Sequence, residues 1–252
     1  MGAEQVQLSR KPPSFTASKL WVRASAAIAL GLCAGSAGAA EVVSGRAAAA
    51  VQRWEEAVHP VLEGSAGAQS DAGAAILAMA EADQAARRYL WVADDPELSE
   101  AERLRVREVL FARMEAIDLG HAQRLRTLLP KDGWFRNSRD GVQVTHGAWL
   151  LLQHSRDTEF MERVLGKMSR LVRKREVSPH DYALLYDRVS RRKGGKQRYG
   201  SQAMCRPGKG EVLAISDLEE PERVDERREK IGWETSFAET QAALQVGKPC
   251  QW

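Results

Sequence analysis

The chain has 252 residues, 44% of them hydrophobic, 28% charged and only 6% aromatic, with a formal net charge of +3. That apolar fraction with nearly balanced charge excludes a wholly disordered chain, and 20 Gly, 9 Pro and 3 Cys exclude collagen-like and disulfide-dense scaffolds. The excess positive charge lies entirely in residues 1–40, where Arg10, Lys11, Lys19 and Arg23 stand against the single acid Glu4, so the rest of the chain is neutral.

The basic head runs into Ala24–Ala34, an apolar stretch about as long as the core of a secretory signal, followed by the small residues Ala37-Gly38-Ala39-Ala40. Residues 1–40 therefore read as an export signal cleaved after Ala39 or Ala40. The stretch is too short and too rich in Ala and Gly to span a bilayer, which takes roughly 20 apolar residues. The expected location is the periplasm or the medium, with no membrane association after cleavage. Cys33 leaves with the signal. Cys205 and Cys250 remain, and in an oxidising compartment they form either one disulfide or two unrelated thiols. With no CxxC and no Cys/His cluster, a thiolate zinc site is excluded.

From Glu41 onward the pattern is mostly helical. A first Ala-rich helix ends near Leu62, and Gly64–Ser70 reads as a linker, giving residues 41–70 as a loosely packed helix and linker ahead of a helical domain over 71–252. A second helix spans about Ala72–Val92 and stops at Asp94-Asp95-Pro96. Ser99 and Glu102 form a capping box opening a helix to Leu129, with Leu104, Val106, Val109, Leu110, Met114, Ile117 and Leu125 as its apolar positions. Residues 131–141 read as a loop. Thr145–His154 is apolar on all sides, as a buried central helix is. Asp157 caps a helix over about Thr158–Arg173, and Ser178-Pro179 opens another to Arg191. After Gly194-Gly195, residues 197–205 and 211–215 read as a small hairpin, followed by a charged helix from Pro221 to Gly232 and a short one over Ser236–Leu244. The fold class is mainly α: an irregular helical bundle with one small β-hairpin near the C-terminus.

Chemistry-bearing residues concentrate in the C-terminal two-thirds. His146 and His154 are eight apart, about 80° around a helix, and neither HExxH nor an i,i+4 pair occurs, so no metal and no cofactor is expected. Asp187 and Arg188 point about 100° apart on their helix, which frees Asp187 either to orient an imidazole or to join helices as an ion-pair node. If 197–202 is a strand, Gln197, Tyr199 and Ser201 share one side and Gly200 and Gln202 the other, with Gly200 permitting a bulge or the close approach of a ligand. Ser201 lacks the G-x-S-x-G frame of a nucleophile elbow.

Ala148-Trp149 with Gln153-His154, then Asp187-Arg188, then Gln197-x-Tyr199-Gly200-Ser201-Gln202, then Val224-Asp225-x-Arg227-Arg228 with Gly232 occur in this order. With Asp83-Gln84-x-x-Arg87 and Gly133-Trp134 upstream, this series resembles a bacterial family catalogued as domain of unknown function 6624, over roughly residues 75–240. Phe135 stands where that family has Pro, and Trp233 where it has Leu. The resemblance implies that Gln153, His154, Asp187, Arg188, Gln197, Tyr199, Gly200 and Gln202 belong to the family pattern, while His146 does not. It implies no activity.

Polar groups of this kind are costly to bury without partners, so three segments contributing them are expected to converge on one polar centre. One reading makes that centre a catalytic or small-molecule pocket, with His154 as general acid or base, Asp187 as its orienter, and Gln153, Arg188, Gln197, Tyr199 and Gln202 around a small polar ligand. The other makes it an internal latch in a structural or interaction protein. A nucleic-acid partner is not expected, because the mature chain is neutral and carries no DNA-binding motif.

Overall fold

A computed structural model describes residues 45–67, 71–205, 211–244 and 246–247. The export-signal reading, the end of the linker and Cys250 lie outside these residues. Among the described residues no helix is long and apolar enough to cross a membrane.

The helical bundle with one small hairpin is what the chain forms. Helix α1 (Gly45–Gly67) continues beyond Leu62 into the stretch read as linker. It does not pack loosely. Trp54 and Val58 are buried with Val106, Leu110 and Met114 in a core of their own, and the Trp54 indole donates to the Ala86 carbonyl at 2.8 Å. Pro60 sits inside α1 on an exposed face and removes one backbone donor from the helical ladder. Helix α2 (Ala72–Arg88) is capped by the Asp71 carboxylate, which accepts from Ala74 N at 2.9 Å, and it tightens into a 3₁₀ turn over Tyr89–Asp94. The Ser99/Glu102 capping box opens α3 (Glu100–Leu128) as expected. Of the apolar positions expected along it, Val106, Leu110, Met114 and Leu125 are buried, whereas Leu104 faces solvent.

The loop expected over 131–141 contains one short turn of helix, α4 (Asn137–Asp140). Helix α5 (Val142–His154) is central and touches α2, α3, α6 and α7. Its Ala148, Trp149, Leu151 and Leu152 belong to the main core with Ile76, Leu125, Phe160, Met161 and Leu185. Helices α6 (Thr158–Leu171) and α7 (Pro179–Arg192) open on side-chain caps, Asp157 accepting from Phe160 N and Ser178 from Asp181 N. The hairpin is shorter than expected. Only β1 (Met204–Cys205) and β2 (Val212–Leu213) pair, antiparallel, with Met204 opposite Leu213 and Cys205 opposite Val212. Residues 197–203 form no strand beyond a single bridge from Gln197 to Leu218, so the alternating-face reading of that segment does not hold. A 3₁₀ turn at Pro221–Arg223 leads into α8 (Val224–Ile231), and α9 (Phe237–Ala243) follows behind a second capping box, Ser236/Glu239.

The close crossing of α2 and α5 sets the geometry that matters most. It relies on Gly147, where an added Cβ would lie 3.2 Å from Ile76 Cγ2 and 3.4 Å from Ala80 Cβ. Small residues at the crossing bring the far end of α5 against the polar end of α2. Gly147→Val is therefore expected to destabilise the fold by about 1–3 kcal/mol through overpacking. Gly120→Ala on α3, where an added Cβ meets nothing within 4 Å, is expected to stabilise it by about 0.5–1 kcal/mol. Urea unfolding of the two variants checks both signs.

Candidate functional site

The motif residues divide into two groups that share α7. The first encloses the irregular segment 197–202. Asp187 is fully buried, and its carboxylate accepts from the backbone amides of Arg198 (2.6 Å), Tyr199 (3.1 Å) and Ser201 (2.9 Å) and from the Ser201 hydroxyl (2.8 Å). Burial pushes this carboxyl upward, and the Ser201 hydroxyl and the three amides pull against it. The carbonyls of the same segment are taken from the other side. Arg227 Nε donates to Arg198 O at 2.7 Å, Arg228 Nε to Tyr199 O at 2.8 Å, and Arg228 Nη2 to Gly200 O at 2.9 Å. Gln197 closes the turn end to end, its amide donating to Gln202 O (3.1 Å) and Ser216 O (3.0 Å) and accepting from Gln202 N (2.8 Å).

Tyr199 is buried among Tyr182 and Tyr186 with rings edge to face, and burial raises its hydroxyl well above the usual range. Gly200 has φ +60, and an added Cβ would lie 2.7 Å from the Phe237 ring. What approaches its backbone is α9 of the same chain, not a ligand. Asp187, Gln197 and Tyr199 thus form a latch. Asp187 does not orient His154, because its oxygens are already engaged by this turn.

The second group surrounds the C-terminal end of α5. The carboxylate that holds His154 is Asp83 of α2, with Nδ1 at 2.9 and 3.0 Å from its two oxygens. Asp83 also accepts from Gln84 Nε2 (2.8 Å) and Arg87 Nη1 (2.7 Å), and Arg87 Nη2 reaches both oxygens of Asp118 on α3 at 2.9 and 3.0 Å. Burial acts to raise the Asp83 carboxyl, but the hydrogen bond and charge of His154, with Arg87 and Gln84, hold it below its ordinary value. Asp118 is lifted by burial despite Arg87. The side chains of His154, Arg87 and Asp118 are 17%, 20% and 15% exposed, against 1% for Asp83, so the centre is sealed below and reaches solvent above. With Nδ1 bound to a carboxylate, the imidazole keeps its Nδ1 proton and leaves Nε2, which has no hydrogen-bond partner among the described residues, as the basic atom.

Arg188 joins the two groups. Its Nη1 donates to the Gln153 carbonyl at 2.9 Å, one residue before His154, and its Nη2 to Gln202 Oε1 at 3.3 Å. Gln202 is fixed in turn by donating to Leu184 O at 3.2 Å. Burial, with Arg192 and Arg87 nearby, pulls the Arg188 guanidinium down to about 10, so it stays charged at neutral pH. Among the described residues it has no carboxylate partner.

The ligand atoms of Asp83, Asp118 and His154 lie within 4.8 Å of one another, a spacing that suits a metal ion. The Arg87 guanidinium donates to both carboxylates and already supplies the positive charge between them. A metal ion at this place would have to displace that guanidinium.

Sequence reasoning missed Asp118 and His121. A signal was present: Met114, Asp118, His121 and Leu125 recur at spacings of four, three and four, so both polar residues sit on the buried stripe of α3. His121 is 8% exposed, and its Nδ1 is buried without a hydrogen-bond partner. Burial, only partly offset by Asp83, lowers its imidazole to about 4. An unfolded His121 takes a proton near pH 6.5 that the folded protein refuses until about pH 4. Stability is expected to fall by roughly 3 kcal/mol as pH drops across that window. His121→Gln should flatten this slope in urea unfolding measured between pH 7 and 4.

His146 belongs to neither group. It bonds Asp181 of α7 at 2.9 Å, at the opposite end of α5 from His154.

No similar protein of curated function and no similar solved structure was found. The family model described as "Family of unknown function (DUF6624)" matches residues 70–240, which takes in α2 through α9 up to Thr240 and both groups of motif residues. The chain belongs to this family of unknown function, DUF6624.

Proposed function

We propose that this is an exported envelope protein whose polar centre binds a small anionic molecule at Arg188 and moves a proton with His154. The observation that carries this reading is Arg188, a part-buried guanidinium with no counter-ion among the described residues, bonded to the carbonyl that precedes an imidazole locked by a carboxylate. Two hydrogen bonds leave most of the five guanidinium N–H donors free for a carboxylate or phosphate. In this reading Nε2 of His154 accepts a proton from the bound molecule or from a water beside it, and Asp83 stabilises the imidazolium that forms. A positioned base of this kind is worth about 10²–10⁴ in rate.

The second reading, a non-enzymatic latch, is favoured by the network around Asp187, where every contact ties one part of the chain to another. The two readings fall on different residues and are separable. Asp187→Ala is expected to cost roughly 3–5 kcal/mol, because three amides lose a buried acceptor. His154→Ala is expected to cost less than about 2 kcal/mol. With phosphate, acetate and citrate as probes, at least one anion should raise the melting temperature of the wild type and of His154→Ala, but not of Arg188→Met. No shift with any anion, or a loss from His154→Ala as large as from Asp187→Ala, leaves the latch as the whole function.

Export and the disulfide are further parts of the proposal. Gly247 N donates to Val212 O at 2.9 Å, and Val212 faces Cys205 across the hairpin, so the tail returns to Cys205 three residues before Cys250. A loop closed between residues 205 and 250 would stabilise the fold by about 3–4 kcal/mol in the loop-entropy description. Intact mass of the protein recovered from the bacterial envelope is expected to correspond to a chain starting at Ala40 or Glu41 and lighter by two hydrogens than the reduced form. A full-length mass argues against export, and a mass unchanged by reduction argues against the bond.

A further inference from the structure

A second site lies at the other end of α5, and it is independent of His154. A cavity of about 290 Å³ opens between α5, the start of α7 and the chain around α4. Its lining includes Trp134, Trp149, Met168 and Val177, all buried, while the His146 and His180 side chains are about half exposed.

Two facts make this cavity more than a packing defect. The indole Nε1 atoms of Trp134 and Trp149 are both buried, and neither has a hydrogen-bond acceptor. An unpaired buried donor is costly, and two on the rings lining one cavity are unusual in a settled interior. The cavity also carries a built polar edge. Asp181 is 4% exposed and holds His146 through Nδ1 at 2.9 Å, with His180 Nδ1 at 3.7 Å from its other oxygen. The His146 ring stacks on Trp149 at 5.2 Å with 25° between the planes, so a flat aromatic surface leads inward from solvent. This bond fixes His146 with Nδ1 toward Asp181 and Nε2 away from it, as Asp83 fixes His154.

We infer that the cavity is a binding site for a small planar molecule bearing oxygen acceptors, which meets the Trp134 and Trp149 indole N–H groups. An apolar floor with a few polar groups is the usual make-up of a ligand pocket, and at the volume share of a water molecule this one holds about ten non-hydrogen atoms. The Asp181 charge is already engaged by two imidazoles, so little is left for a cation, whereas the two indole rings that line the cavity carry unpaired donors.

The test uses the whole ¹⁵N-labelled protein, with benzoate and benzamide as acceptor-bearing probes and benzylamine as a ring without an acceptor. Benzoate or benzamide should shift the Trp134 and Trp149 indole resonances in a saturable way at millimolar concentration. Trp149→Phe and Trp134→Phe, which keep an aromatic ring and remove the donor, should each weaken binding about tenfold. Should one of the two fail to fold, the other carries the comparison. His154→Ala should leave the affinity unchanged, because the probes bind at the other end of α5. The inference is overturned if neither probe moves either resonance, if benzylamine moves them equally, if both Phe variants bind like the wild type, or if His154→Ala abolishes binding.

Discussion

The carboxylate of Asp187 is the constraint on which the C-terminal half depends. The segment from Gln197 to Gln202 is irregular backbone lying against α7, and Tyr199 and Gly200 are fully inside. Buried backbone must be hydrogen-bonded, and beyond the bridge at Gln197 no neighbouring strand among the described residues does it. Side chains take the place of the missing strand. Asp187 accepts the amides of Arg198, Tyr199 and Ser201, while Arg227 and Arg228 donate to the carbonyls of Arg198, Tyr199 and Gly200. The segment is thus held by negative charge on its donor side and positive charge on its acceptor side. Asp187 supports the charge of Arg228 across the segment, while Arg227 is paired with Glu220.

That arrangement has a consequence one residue along the chain. Successive helical residues diverge by about 100°, so while Asp187 is committed to the latch, Arg188 faces the end of α5. The latch then fixes Gln202, and Gln202 together with the Gln153 carbonyl fixes Arg188. A structural cluster and a chemically open one are therefore adjacent in sequence and mechanically coupled. Motifs from the two are interleaved for the same reason: Gln197 through Gln202 belong to both, by backbone to the latch and by the Gln202 side chain to the open centre.

Much of this was legible in the sequence, and the failures have physical causes. The helices announced themselves through caps and period: Ser99 with Glu102, Asp157, Ser178 with Pro179, and the all-round apolar run at 148–152. Arg188 and the Gln202 side chain meet, but Gln153 enters through its backbone carbonyl, which the cost of burying a polar side chain does not foresee. The wrong partner for His154 came from weighing Asp187 alone, when Asp83 sits on the buried stripe of α2 four residues before Arg87. A carboxylate on an otherwise Ala-rich buried face is a stronger pointer than one beside an arginine. The short hairpin was overextended because residues 197–205 and 211–215, set off by Gly194-Gly195 and parted by the turn residues Pro207-Gly208, have the outline of two paired strands. The sequence has no way to signal that a carboxylate and two guanidiniums will replace the partner strand.

Three inward-facing arginines among the described residues, Arg188, Arg227 and Arg228, differ in what their environments leave over, and in the proposed reading that difference separates support from recognition. Arg228 makes four hydrogen bonds, to Tyr199 O, Gly200 O, Thr235 O and Thr240 Oγ1, and lies 3.9 Å from the centre of the Trp233 ring. Its donors and its π face are both occupied. Arg227 is neutralised by Glu220 while it holds the carbonyls of Arg198 and Glu219. Arg188 has two neutral acceptors and no ionic partner among the described residues. Desolvating a guanidinium without compensation is the costliest of the three situations, and burial is already felt in its lowered proton affinity. An anion arriving at Arg188 would relieve that cost, whereas one arriving at Arg228 or Arg227 would have to displace contacts that hold the fold together. In the proposed reading the anion therefore meets Arg188, whose neighbour Asp187 has already secured the backbone around it.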